Sequence, residues 1–269
     1  ENVRDRFITP SLFGAGFVGC VADETMRRIA REQATQSGGR IRGLVRQVPI
    51  LEAPEKTGVG RFGWAGQHAS LLSFSADAYR NEMGITSPLE PKDNTFLGQP
   101  VDDGVADPED TGNKFGEDVE LFTDFMRALS APPRLLPSDQ KEREEIENGF
   151  NVFKSIGCAV CHLPELVTAK TGSLVNGGAF RVPKALGNKR FHPYGDFLLH
   201  DIGTGPDILG EGMPPEARKK IRTAALWGIG SRPVTSDPLL HDGSARTLEE
   251  AVQRHKNSAA QEAEKFQRL

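Results

Sequence analysis

The sequence predicts a mostly α chain with long ordered loops and at most a small β-hairpin. Apolar residues recur at helical spacing in several separate segments. Glycine (29) and proline (18) exceed average usage in the 269 residues without reaching levels that mark disorder. Strand signals are confined to one short stretch.

Taken in order, Asp23 to Gln33 reads as the first helix, and Ile41 to Leu51 with Val59 to Trp64 as a hairpin that Pro49 restricts to an edge. Gly66 to Tyr79 reads as the second helix. Pro88 to Gly116, rich in Asp, Gly, Pro and Asn, is an extended surface loop. In Glu117 to Leu129 an apolar stripe of Val119, Phe122, Met126 and Leu129 predicts a third helix. Ser130 to Pro137 holds Pro132, Pro133 and Pro137, which remove backbone donors and disfavour helix before them, so it reads as a linker between residues 1–132 and 133–269.

Beyond the linker, Ser138 or Asp139 caps a helix that faces Ile146, Phe150 and Phe153 inward and stops at Gly157. Leu163 to Asp237 carries prolines and glycines throughout and only short apolar runs. It is expected to wrap as a loop around something, with a large ligand supplying its core. Thr247-Leu248-Glu249-Glu250 is a capping box opening a helix with Leu248, Ala251, Val252 and His255 on one face. Another helix is expected from Ser258 to Leu269.

With 33 basic against 37 acidic residues the net charge is −4, which argues against a nucleic-acid or anionic-membrane partner. The longest apolar stretch, Ser11 to Ala22, is broken by glycines and too short to span a bilayer.

Cys158-Ala159-Val160-Cys161-His162 has the spacing of covalent haem attachment: two thiols add across vinyl groups while the adjacent imidazole reaches the iron. A redox dithiol fits less well, because a helix rather than a strand precedes the first cysteine. Zinc would need a further ligand, and the one other cysteine, Cys20, is distant and set among small apolar residues. Two side chains are candidates for the opposite face of the iron. His255 is polar on an otherwise apolar helical face; Met213 stands on a loop stiffened by Pro214 and Pro215. Arg181, Arg222 and Arg246 are candidate partners for haem propionates, since guanidinium pairs with carboxylate bidentately. His200-Asp201 and His241-Asp242 read as loop anchors; His68 and His192 receive no role. Haem attachment of this kind places maturation outside the bacterial cytoplasm, in the periplasm or otherwise exported.

Several blocks in order resemble a known family. They are Gly60 to Trp64, Asn81 to Ser87, Gly157 to His162, Asp196 to Asp201, Arg222-Thr223 with Leu226-Trp227-Gly228, and Leu240 to Gly243 running into Thr247 to Ala251. They are similar to the bacterial di-haem oxidoreductases, also called thiol oxidoreductases, relatives of the di-haem cytochrome c peroxidases. The resemblance covers nearly the whole chain. It implies two cytochrome c-like domains, each with a haem, and electrons passing from the second haem to a reactive first one. Carried over, it makes Cys158 and Cys161 the thioether anchors of haem c, His162 the proximal ligand and His255, rather than Met213, the distal one. It further implies a redox partner protein or second haem domain and, as in some relatives, a candidate structural calcium ion between the domains.

The family has a second Cys-x-x-Cys-His near its front and a last helix near its end. This chain shows neither, so the resemblance implies that it starts inside the first domain, after that haem, and stops short of the last helix. The expected function is electron relay by a c-type cytochrome. The alternatives are a peroxidase-type enzyme in full-length form and a haem-free interaction or structural module.

Overall fold

The computed structural model describes residues 7–96, 99–100, 104–111, 117–134, 136–205, 213–231 and 238–269. Leu135 of the expected linker, and parts of the 88–116 and 163–237 segments, lie outside these residues.

A short helix, α1 (Ala15–Gly19), crosses so close to a later helix that a Cβ on Gly16 would meet the carbonyl oxygen of Arg127 at 2.3 Å. α2 (Asp23–Gln36) buries Met26, Ile29 and Gln33, which share one face at helical spacing. Burying Met26 and Ile29 contributes about 1.5–3 kcal/mol each; Gln33, a polar residue at an equally buried position, needs partners instead. At the start of α2, Asp23 pairs with the buried guanidinium of Arg61.

The hairpin forms from β1 (Gln47–Pro49) and β2 (Thr57–Val59), shorter than expected and with its second strand earlier in the chain. Leu44 bridges instead to Leu199, far along the sequence. α3 (Leu71–Met83) begins five residues after the expected Gly66. The Ser70 hydroxyl accepts from the backbone N–H of Ser73 there, whereas Gly66 lies at φ 59° and His68 bridges back to Phe62. Within the segment read as surface loop, β3 (Thr95–Phe96) pairs with β4 (Gln99–Pro100). α4 (Asp118–Ala128) packs on α3, with Thr123 Oγ1 donating to Ser75 Oγ at 2.7 Å. Its buried face is Val119, Thr123 and Met126; Phe122, expected inward, is exposed and stacks on Phe125.

α5 (Gln140–Ile156) is capped by Asp139, whose carboxylate accepts from the N–H of Glu142 at 3.0 Å. Only Ile156 is buried; Phe150 and Phe153 are half-buried and Ile146 is exposed, contrary to the expected inward stripe.

The expectation of a mostly α chain is corrected here. After α5 come β5 (Leu166–Val167) paired with β8 (Arg190–Phe191), β6 (Leu174–Val175) with β7 (Phe180–Arg181), and β9 (Leu199–His200) with β10 (Ile221–Arg222), all antiparallel. Five two-stranded ladders thus stand beside the helices among the described residues. Ladders of two or three residues are too short to leave an alternating pattern in the sequence, which is why this stretch reads as loop.

The chain ends in α6 (Leu248–Gln253), opened by Thr247, and α7 (Ala260–Phe266). The Thr247 hydroxyl accepts from the N–H of Glu250, but Glu250 returns its carboxylate to the N–H of Arg246, one residue earlier than in a standard capping box. The main apolar core joins both sides of the proline-rich segment: Val18, Met26, Ile29 and Leu71 pack with Leu166, Phe191, Phe197 and Leu198. No helix among the described residues is long and apolar enough to cross a membrane.

Candidate functional site

α5 ends at Gly157, whose φ of 104° lies in the region that favours glycine. A Cβ at that position would also come within 2.9 Å of Glu262 Oε1. Gly157→Ala is therefore expected to destabilise the protein by about 1–3 kcal/mol through backbone strain, read as a lower urea unfolding midpoint at unchanged slope.

From Gly157 the chain makes a single 3₁₀ turn, Cys158–Val160, and His162 N–H closes on the carbonyl of Cys158 at 2.9 Å. In such a turn residues three apart eclipse, so Cys158 and Cys161 project to one side. Both cysteines are free and half-buried, and burial pushes the Cys158 thiol up to about 11, so it stays protonated at neutral pH.

Both sulfurs line a cavity of about 490 Å³ that is walled largely by apolar side chains and also receives His162, His255 and Arg222. His162 holds its Nδ1 2.9 Å from the Tyr194 carbonyl oxygen, and His255 holds its own 2.7 Å from that of Ala251. A carbonyl accepts only, so each Nδ1 carries the proton and each Nε2 keeps a lone pair. Neither Nε2 forms a hydrogen bond among the described residues. Burial lowers His162 to about 4 and pushes His255 down as well, so both rings are neutral at pH 7 and competent as ligands. Their centroids are 6.4 Å apart.

Arg222 is buried, donates from Nε to the Gly63 carbonyl oxygen at 2.7 Å and lies 5.7 Å from the ring centres of both Trp64 and Phe197. Burial lowers it to about 10, with partial compensation from Asp196, and it makes no ion pair among the described residues.

Other sequence candidates lie elsewhere. Met213 is half-buried and does not line the cavity. Arg181 donates to the Gly172 carbonyl oxygen, and Arg246 is exposed; neither reaches the cavity. Cys20 is buried as a small apolar residue. His241 lines the cavity and packs against Trp64, while Asp242 turns back to the N–H of Ser244.

The sequence reading missed Asp196, Gln33 and their link to the cysteines. Asp196 is fully buried and its carboxylate meets His200 Nε2 at 2.8 Å, while His200 Nδ1 lies 3.7 Å from Cys161 Sγ. Nothing in the spacing announces this, because Asp201, the acid next to His200, turns away to accept from Asn257 Nδ2 at 2.7 Å. Cys161, Asp196 and His200 form the one cluster of metal-binding type among the described residues. One sulfur, one nitrogen and one carboxylate differ from the all-oxygen shell that calcium takes.

A family model described as "Di-haem oxidoreductase, putative peroxidase" matches residues 8–269. The chain belongs to this family. No curated protein matches it. Membership makes haem the class of cofactor and oxidoreduction the class of function.

The residues of this family member fit a haem. An iron held by one imidazole nitrogen on each side puts the ring centres about 6 Å apart, since each metal–nitrogen bond is about 2 Å and each nitrogen lies about 1 Å from its ring centre. The observed 6.4 Å agrees. The cavity falls within the about 300–1,000 Å³ of cofactor sites, and Arg222, which makes no ion pair among the described residues, suits a carboxylate entering it.

Proposed function

We propose that this chain holds one covalent haem c and works as the electron-relay part of a periplasmic di-haem oxidoreductase, with residues 133–269 supplying the attachment and residues 1–132 backing the cavity. Cys158 and Cys161 anchor the group by thioethers, His162 is the proximal ligand and His255 the distal one. When bound, the haem supplies a one-electron ferric–ferrous couple. The chain's own residues fix both ligands through the Tyr194 and Ala251 carbonyls, exclude water with apolar walls and offer Arg222 to a propionate.

One observation carries the reading: two neutral imidazoles, each with an Nε2 that makes no hydrogen bond among the described residues, stand with ring centres 6.4 Å apart in the lining of the cavity that both cysteines also line. A peroxidase centre needs one face of the iron open to substrate. Two opposed imidazoles favour relay at this site and leave peroxide chemistry to another haem and a partner domain.

The test is the absorption spectrum in alkaline pyridine of protein purified from cells competent in cytochrome maturation. One covalently held haem per chain is expected. A colourless preparation overturns the proposal and favours a haem-free module.

A further inference from the structure

Two hydrogen-bonded strings converge on the turn that carries Cys161, one of them through His200, which itself lines the cavity. In the first, Asp196 accepts from Leu198 N–H at 2.9 Å, from Gln33 Nε2 and from His200 Nε2, and His200 turns its other nitrogen to Cys161 Sγ. In the second, Gln33 Nε2 also donates to the carbonyl of Val160, the residue before Cys161, at 2.8 Å, and Gln33 Oε1 accepts from Gly43 N–H at 3.0 Å. Gln33, Asp196 and His200 are each at most 2% exposed. Because His200 presents one nitrogen to the carboxylate and the other to the sulfur, it bridges the two rather than joining them around a common ion.

We propose that His200, clamped by Asp196, is a positioning residue that donates a hydrogen bond to the Cys161 sulfur once that sulfur is a thioether, and thereby raises the reduction potential of the attached haem. The inference rests on the covalent haem reading above.

The chemistry fixes the direction of the bond. When a thiol adds across a vinyl group, the S–C bond forms, the C=C π bond breaks and the thiol hydrogen passes to the other vinyl carbon; no oxidant or reductant is used. The sulfur is then left as an acceptor only. His200 Nε2 faces a carboxylate and must donate to it. The contact at Nδ1 is attractive only when that nitrogen also carries a proton, so the thioether selects the doubly protonated ring, balanced by the Asp196 carboxylate. Burial alone pushes His200 down, while the Asp196 carboxylate and the free Cys161 thiol together hold the ring up at about 10; in the thioether the Asp196 contribution remains, through the contact at 2.8 Å. A charge-assisted donor on the sulfur draws electron density from the macrocycle and favours its reduced state.

The experiment compares wild type, His200→Leu and the neutral pair Asp196→Asn/His200→Gln. Each is first measured in alkaline pyridine and then titrated for its midpoint potential at one fixed pH. Both variants are expected to keep two thioethers and to show a lower potential, His200→Leu the lower of the two because the glutamine amide retains a neutral donor. If His200→Leu does not accumulate, the neutral pair decides. An unchanged potential in a variant with full covalent haem overturns this proposal alone. A wild type without covalent haem overturns the function reading, and this proposal with it, before any variant is compared.

Discussion

Replacing both Cys158 and Cys161 by serine is expected to leave a protein from which acidified acetone extracts all of its haem, where the wild type releases none. Serine is close in size and keeps a hydrogen-bonding group, so the turn closed by His162 N–H on the Cys158 carbonyl should survive. A hydroxyl does not add across a vinyl group as a thiol does. Either single substitution should keep haem attached through the other sulfur, because both point to one side of the same turn. The double variant should also lose stability. Haem held without thioethers can dissociate, and in the molecules that lose it an empty cavity of about 490 Å³ costs on the order of 10 kcal/mol by the scaling for small engineered cavities, comparable with the whole stability of a domain. Purification yield and thermal unfolding check the second effect, extraction the first. Retention of haem by the double variant would remove Cys158 and Cys161 from the attachment role.

What could be read without coordinates follows from how local each signal is. Cys158, Cys161 and His162 are contiguous because thioether and axial bonds to one macrocycle demand it, so the motif stands in the sequence whole. His255 is legible as the polar residue on the apolar face of α6, although it sits just past the end of the helix. The partners of the cysteine turn are a different matter. Gln33 and Asp196 are 163 positions apart, and Gln33 follows the inward spacing of Met26 and Ile29, so it reads as part of an amphipathic helix.

The adjacent pair His200-Asp201 parts in the structure. His200 closes β9, where successive side chains point to opposite faces, so the neighbour that looks like its partner is the one least able to reach it. Asp196, four residues earlier, returns to His200 because Phe197 adopts a positive φ of 58° and turns the chain. Asp201 instead secures the segment after His255, its carboxylate accepting from Asn257 and its backbone carbonyl from Ser258 N–H. The short ladders were lost for a related reason: a pair such as Leu166–Val167 with Arg190–Phe191 is specified by what it packs against, and only the first and last of those four residues are buried.

The distal position separates His255 from Met213 most sharply. In the folded chain His255 lines the cavity with its ring centre 6.4 Å from that of His162 and its Nδ1 tied to Ala251, whereas Met213 precedes a proline-led turn outside the lining. His255→Ala is expected to convert a low-spin spectrum to a largely high-spin one, with the covalent haem content unchanged, and added imidazole should restore the low-spin form. Restoration matters because general damage to α6 would not be repaired by a free ligand. Met213→Ala should leave the spectrum unchanged, since no atom of that side chain borders the site. The opposite pattern, a high-spin Met213 variant beside an unaltered His255 variant, would require the 213–217 segment to displace α6 from the cavity and would transfer the distal role to the thioether of Met213.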